Sequence, residues 1–118
     1  MSGLLIVDDD VGFRSLVHAL LAAGGFSVAG EAADGEGALQ AVERLRPDVV
    51  LLDVQLPDLD GFEVARRIAS RAGTHGPLVV LISSRSASSY RSRLASSPAR
   101  GFITKSELTG ASLSALIG

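Results

Sequence analysis

The sequence predicts an α/β domain: a doubly wound, five-stranded parallel sheet with helices on both faces. Two observations carry this. Leu4-Leu5-Ile6-Val7, Val49-Val50-Leu51-Leu52, Leu78-Val79-Val80-Leu81-Ile82 and Gly101-Phe102-Ile103-Thr104 are short, almost continuously apolar runs, as strands covered on both faces must be. Between them apolar residues recur at helical spacing, and strand–helix alternation in a short chain implies right-handed parallel crossovers.

Taken in order, the first strand is Leu4 to Val7. Phe13, Leu16, Val17, Leu20 and Leu21 then fall at i, i+3, i+4, i+7 and i+8, one apolar face of a helix. Asp10 is its expected N-cap, and Gly24-Gly25 closes it. Phe26 to Gly30 reads as a short second strand. Ala38, Ala41, Val42 and Leu45 mark a second helix, capped by Asp34 and stopped before Pro47. The third strand ends on Asp53, and the chain turns through Pro57 and Gly61 into a helix outlined by Val64, Ala65, Ile68 and Ala72. After the fourth strand, residues 86–96 are expected to form a helix ending before Pro98. Eight of the fifteen residues from 83 to 97 are serine, a mediocre helix former, so this helix should be the least stable element. Leu113, Leu116 and Ile117 mark the last helix. At this size the usual solution is the flavodoxin-like order 2-1-3-4-5, which puts ligands beyond the carboxyl ends of strands one and three.

A length of 118 residues suits one domain, 1–118, and 47% hydrophobic residues supply its core. A formal charge of −2 argues against charge-driven nucleic-acid binding. The absence of cysteine removes disulfides and thiolate metal sites. No leader pattern is visible, and no apolar run approaches the roughly 18 residues of a membrane span. The expectation is a cytoplasmic domain with no membrane segment and no direct nucleic-acid contact.

The strand ends carry the chemistry. The first is followed by Asp8-Asp9-Asp10, the third ends on Asp53, the fourth on Ser83-Ser84 and the fifth on Lys105. Adjacent strands lie about 4.8 Å apart, so carboxylates ending strands one and three are near neighbours. Two such charges about 4 Å apart repel by roughly 4 kcal/mol at an effective dielectric of 20. A cluster of this kind binds protons or a cation, and its oxygen-only donors favour Mg²⁺. Asp10 is best used as a helix cap. Lys105 is the sole lysine, since every other Lys or Arg position holds arginine. One ammonium beside a bound cation leaves room for an anion, and a phosphoryl group fits. Ser83 can offer it a hydroxyl and Ser84 a backbone N–H.

Asp8-Asp9, Asp53, Ser83 and Lys105, in that order and spacing, resemble the receiver domain of two-component response regulators over essentially the whole chain. The resemblance implies that Asp53 is the phosphoacceptor, charged by a sensor histidine kinase or a phosphotransfer protein. It implies Mg²⁺ held by Asp8, Asp9, Asp53 and the main-chain carbonyl of Gln55, with Lys105 paired to the phosphoryl group. Ser83 stands at the switch hydroxyl and Phe102 at the switch aromatic. The output would be a linked domain or a partner protein, with a homodimer through the fourth helix, fifth strand and fifth helix as one form. By this resemblance the domain would be a phosphorylation switch and not an enzyme acting on a small molecule.

One departure is Ser106, where the family commonly has proline after a cis bond. A cis bond before a non-proline residue costs about 2.5–4 kcal/mol, so a trans bond is expected. Two rival readings are weaker. An interaction platform that works unphosphorylated would not need so complete a site. A haloacid-dehalogenase-type phosphohydrolase is suggested by Asp8-Asp9-Asp10, but Gly12 stands where such enzymes carry Thr or Val. His18 and His75 read as incidental. Arg85, Arg91, Arg93 and Arg100 read as a solvated basic face near the fourth helix. Gln55 and Arg85 flank the site.

Overall fold

The computed structural model describes residues 3–118. Five strands and five helices alternate: β1 (Leu4–Val7), α1 (Val11–Ala23), β2 (Val28–Ala32), α2 (Gly35–Leu45), β3 (Val49–Asp53), α3 (Gly61–Ala72), β4 (Leu78–Ser83), α4 (Arg91–Ala95), β5 (Gly101–Thr104) and α5 (Gly110–Ile117). Short 3₁₀ turns cover Gly73–His75, Ala87–Tyr90 and Lys105–Glu107. The strands form one sheet in the order β2-β1-β3-β4-β5, and every pairing is parallel. In register, Leu52 lies beside Val7 and Leu81, so β1, β3 and β4 end at the same edge.

Alternation along each buried strand splits the core into two layers. Leu4, Ile6, Leu51, Val80 and Ile82 pack with Val17 and Leu21 of α1 and Leu113 of α5. Leu5, Val7, Val50, Leu52 and Leu81 pack with Ala38 and Leu39 of α2, with Val64, Ala65 and Ile68 of α3, and with Tyr90. Both faces are covered, which is why β1 and β3 are apolar at every position before the strand end. A cavity at Leu51 or Leu81 would cost about 2–5 kcal/mol.

Three expectations are corrected. The buried stripe of α1 is narrower than its apolar pattern: Val17 and Leu21 are buried and Phe13 is half-buried, but Leu16 is 66% and Leu20 40% exposed. The second strand starts two residues later, at Val28, because Phe26 serves the helix before it. Its N–H donates to Leu21 O, that of Gly25 (φ +92°) to Ala22 O, and Phe26 packs in the α1 layer, a Schellman closure. The fourth helix is one short turn, Arg91–Ala95, preceded by the 3₁₀ turn that ends at Tyr90, with no buried residue of its own.

The β3–α3 loop is pinned at both ends. Asp58 accepts the Gly35 and Glu36 N–H groups at 2.7 and 3.0 Å, capping α2 from across the loop. The Glu36 N–H first, then that of Gly35, hold its carboxyl below the usual range. Asp60 caps α3 through the Glu63 N–H at 3.0 Å. At Gly61 a Cβ would stand 2.4 Å from Asp53 O, so only glycine lets α3 start this close to the strand end.

Candidate functional site

The carboxyl edge of β1, β3 and β5 assembles three carboxylates and one ammonium. Asp8 follows β1 and is fully buried; Asp53 ends β3 and is 5% exposed; Asp9 is exposed at the rim. One carboxylate oxygen from each of Asp8, Asp9 and Asp53 lies within 4.8 Å of the others. Lys105, immediately after β5, places Nζ 2.6 Å from Asp8 Oδ2 and 3.3 Å from Asp53 Oδ2. Its ammonium also sits 4.4 Å above the Phe13 ring centroid, so α1 helps to aim it.

The four charges do not balance. Asp8 Oδ1 accepts the Asp10 N–H at 2.9 Å, but Oδ2 is buried and has no aligned hydrogen-bond donor, even with the ammonium at ion-pair distance. Asp53 accepts the Gln55 N–H at 3.2 Å and one bond from Lys105. Burial is the strongest influence on Asp53 and, with the Asp8 charge, raises its carboxyl above the ordinary range; the Gln55 N–H and Lys105 only partly offset it. For Lys105, burial acts to lower the ammonium, but the close pairing with the Asp8 carboxylate and the charge of Asp53 outweigh it and hold the group above its usual value. An all-oxygen donor set with one buried, undersupplied oxygen suits a hard divalent cation such as Mg²⁺.

The remaining sequence candidates divide. Gln55 is exposed in the turn after Asp53, its main-chain carbonyl being the expected fourth ligand. Ser83 ends β4 and is 1% exposed, yet its Oγ faces the segment leading to α4: it lies 2.9 Å from Tyr90 Oη and accepts the Arg85 N–H at 3.1 Å. Ser84 is exposed at the start of that loop. Phe102 is half-buried in β5, its ring centroid 5.8 Å from that of Tyr90. The Lys105–Ser106 bond is trans, as expected. Asp10 caps α1 through the Gly12 and Phe13 N–H groups.

His18 is exposed and pairs with Glu31 at 2.9 Å, beside Arg14 on the same carboxylate. His75 is exposed in a 3₁₀ turn. Arg93 pairs with Asp60 and covers the Phe62 ring, its guanidinium carbon 4.2 Å from the centroid. Arg100 donates to Leu116 O at 2.8 Å, whereas Arg85 and Arg91 are exposed. Sequence reasoning passed over two residues. Tyr90 touches Ser83, and its ring sits tilted between those of Phe62 and Phe102. Arg14 braces the β1–α1 turn by donating to Asp8 O at 2.6 Å. Tyr90's signal was its identity as a lone large aromatic in a serine-rich segment.

Known proteins resemble this chain in sequence and fold. The family model for the response regulator receiver domain matches residues 4–116. The protein-glutamate methylesterase/protein-glutamine glutaminase 3 of Hahella chejuensis is 42% identical over 81 residues, 69% of this chain and 23% of that protein. The transcriptional regulatory protein AfsQ1 of Streptomyces coelicolor is 42% identical over 81 residues, 69% of this chain and 35% of that protein. The solved signal receiver domain of NarL from Mycobacterium tuberculosis superposes with a TM-score of 0.80 at 34% identity, covering 99% of this chain and 98% of that one. The chain spans between 20% and 51% of the length of such curated relatives. A doubly wound sheet with an acidic cluster and a lysine at one edge, matched by that family from Leu4 to Leu116, makes this chain a response regulator receiver domain.

Proposed function

We propose that Asp53 is the residue phosphorylated when this switch operates, with a phosphohistidine on a sensor kinase or phosphotransfer protein as donor. The observation that carries this is the buried Asp8–Asp53–Lys105 arrangement, in which a nearly buried carboxylate is held by one ammonium and one backbone N–H. A carboxylate is a competent nucleophile for phosphoryl transfer, where positioning and charge neutralisation do most of the catalysis. Asp53 attacks the phosphorus and the bond to the donor nitrogen breaks. Lys105, between Asp8 and Asp53, is placed to take an oxygen of the incoming group. Asp8, Asp9, Asp53 and the Gln55 carbonyl would hold Mg²⁺, which supplies positive charge against the phosphoryl oxygens.

Ser83 then turns its hydroxyl from Tyr90 toward the phosphoryl group, supported there by the Ser84 N–H. Phe102 follows, and the surface of α4 and β5 changes between two states. That surface is where a linked output domain or a partner protein reads the signal, and the reading carries a cytoplasmic setting with it. Among the described residues, no helix is long and apolar enough to cross a membrane.

The test is intact mass after incubation with acetyl phosphate and Mg²⁺. A gain of one phosphoryl group that needs Mg²⁺ and is absent in Asp53→Ala supports the assignment. A gain that survives in Asp53→Ala refutes it.

A further inference from the structure

We propose that the Tyr90 hydroxyl is a latch on Ser83. It holds the serine hydroxyl on the α4 side and must let go when Ser83 turns to a phosphoryl group on Asp53. The inference rests on the Asp53 reading above and adds a residue to it.

Ser83 Oγ has two partners, Tyr90 Oη at 2.9 Å and the Arg85 N–H at 3.1 Å, and both belong to the segment after β4. A serine hydroxyl has one proton and two acceptor positions. Arg85 fills one acceptor position, and Tyr90 takes either the proton or the other. To donate toward Asp53, Ser83 must move to another staggered rotamer, which displaces Oγ by about 2 Å. A 2.9 Å contact does not survive that shift unless the phenol follows. The phenol is not free to follow: Tyr90 is 8% exposed, and its ring is wedged 5.7 Å from that of Phe62 and 5.8 Å from that of Phe102.

The position of Tyr90 gives the latch a consequence. It closes the 3₁₀ turn Ala87–Tyr90 and directly precedes α4, whose own five residues include none that is buried. Tyr90 is thus the buried anchor of the segment, helped only by half-buried Leu94. Phosphoryl capture of Ser83 leaves this anchor with an unpartnered buried hydroxyl, so the anchor shifts and α4 with it. Phe102 then has space on the side that Tyr90 vacates.

The chain supplies its own probe. Tyr90 is the sole tyrosine and there is no tryptophan, so near-ultraviolet tyrosine absorption and fluorescence report this hydroxyl alone. In metal-free protein, Ser83→Ala should shift the Tyr90 band. Mg²⁺ with beryllofluoride, a phosphoryl mimic, should shift it in the same direction in the wild type and not in Asp53→Ala. Tyr90→Phe keeps the ring contacts and removes only the hydroxyl. It should bind beryllofluoride about two- to tenfold more tightly, the value of one net hydrogen bond that no longer has to break. An unmoved Tyr90 band while fluorine NMR shows Asp53-dependent beryllofluoride binding overturns the latch and leaves the Asp53 reading standing. Equal or weaker binding by Tyr90→Phe also overturns it. Absence of Asp53-dependent binding ends both.

Discussion

The Lys105 ammonium stands 2.6 Å from Asp8 Oδ2, a fully buried oxygen with no aligned hydrogen-bond donor. The same ammonium reaches Asp53 Oδ2 at 3.3 Å, so one cation is shared between two buried acids. Both carboxylates depend on it, and neither is fully supplied by it. That shortage is what the proposed cation, and then the proposed phosphoryl anion, would meet at this edge.

Replacing Lys105 with methionine keeps the length of the stem and removes the charge. Without Mg²⁺ the variant should lose about 1–2 kcal/mol in urea denaturation. That is less than the ~3–5 kcal/mol for a broken, fully buried pair, because Lys105 is 21% exposed. Saturating Mg²⁺ should shrink the difference. A loss that Mg²⁺ leaves untouched would mean that the metal does not meet these carboxylates.

Asp53→Asn should stabilise the metal-free protein at neutral pH, on the order of 1 kcal/mol, by removing a desolvated charge. The Asp53 carboxyl is raised in the folded state, chiefly by burial. With the folded value above the unfolded one, the charged form costs stability at neutral pH. That cost fades as pH falls through the raised folded value toward the unfolded one. The stability gap between variant and wild type should therefore narrow on acidification. A gap that widens on acidification contradicts the assignment.

Gly61→Ala should be damaging although it adds a single methyl group. The new Cβ would meet Asp53 O at 2.4 Å and Val54 Cα at 2.8 Å, both backbone atoms that cannot swing aside. Denaturation should show a loss of about 1–3 kcal/mol. Phosphorylation by acetyl phosphate should slow by more, since a displacement of about 1 Å at a reacting group costs roughly a hundredfold.

Amides of residues 84–97 should exchange with solvent orders of magnitude faster than those of β1, β3 and β4. The segment is mostly exposed, and α4 has no buried residue. Ser92→Ala, at an exposed α4 position, should slow that exchange by a few tenths of a kcal/mol in helix propensity. Exchange as slow as that of β3 would show α4 to be a rigid element.

The edge chemistry was legible because buried parallel strands leave little choice of residue. Val49 to Leu52 had to be apolar, so a carboxylate at Asp53 stood out, and Asp8 and Lys105 stood out in the same way. The parallel sense followed from the crossover rules, and the strand order from the usual solution for a sheet of this size. What was lost lies where sequence periodicity exceeds the buried stripe. Leu16 and Leu20 fit the apolar pattern of α1 but lie beside its packed edge, at 66% and 40% exposure. Phe26 read as strand because it is aromatic, yet its N–H closes the preceding helix. Tyr90 stood out only as a lone large aromatic among serines; its role depends on Ser83 Oγ, seven residues away, pointing at it. No local pattern encodes such a contact.

The most direct measurement is borohydride trapping after acetyl phosphate treatment, followed by peptide mapping. Borohydride reduces an acyl phosphate on aspartate to homoserine, so the acceptor is read by position. Homoserine at position 53, present with Mg²⁺ and lost when Mg²⁺ is chelated, is the expected result. Homoserine at Asp8 or Asp9, or none with Mg²⁺ present, would contradict the assignment of Asp53.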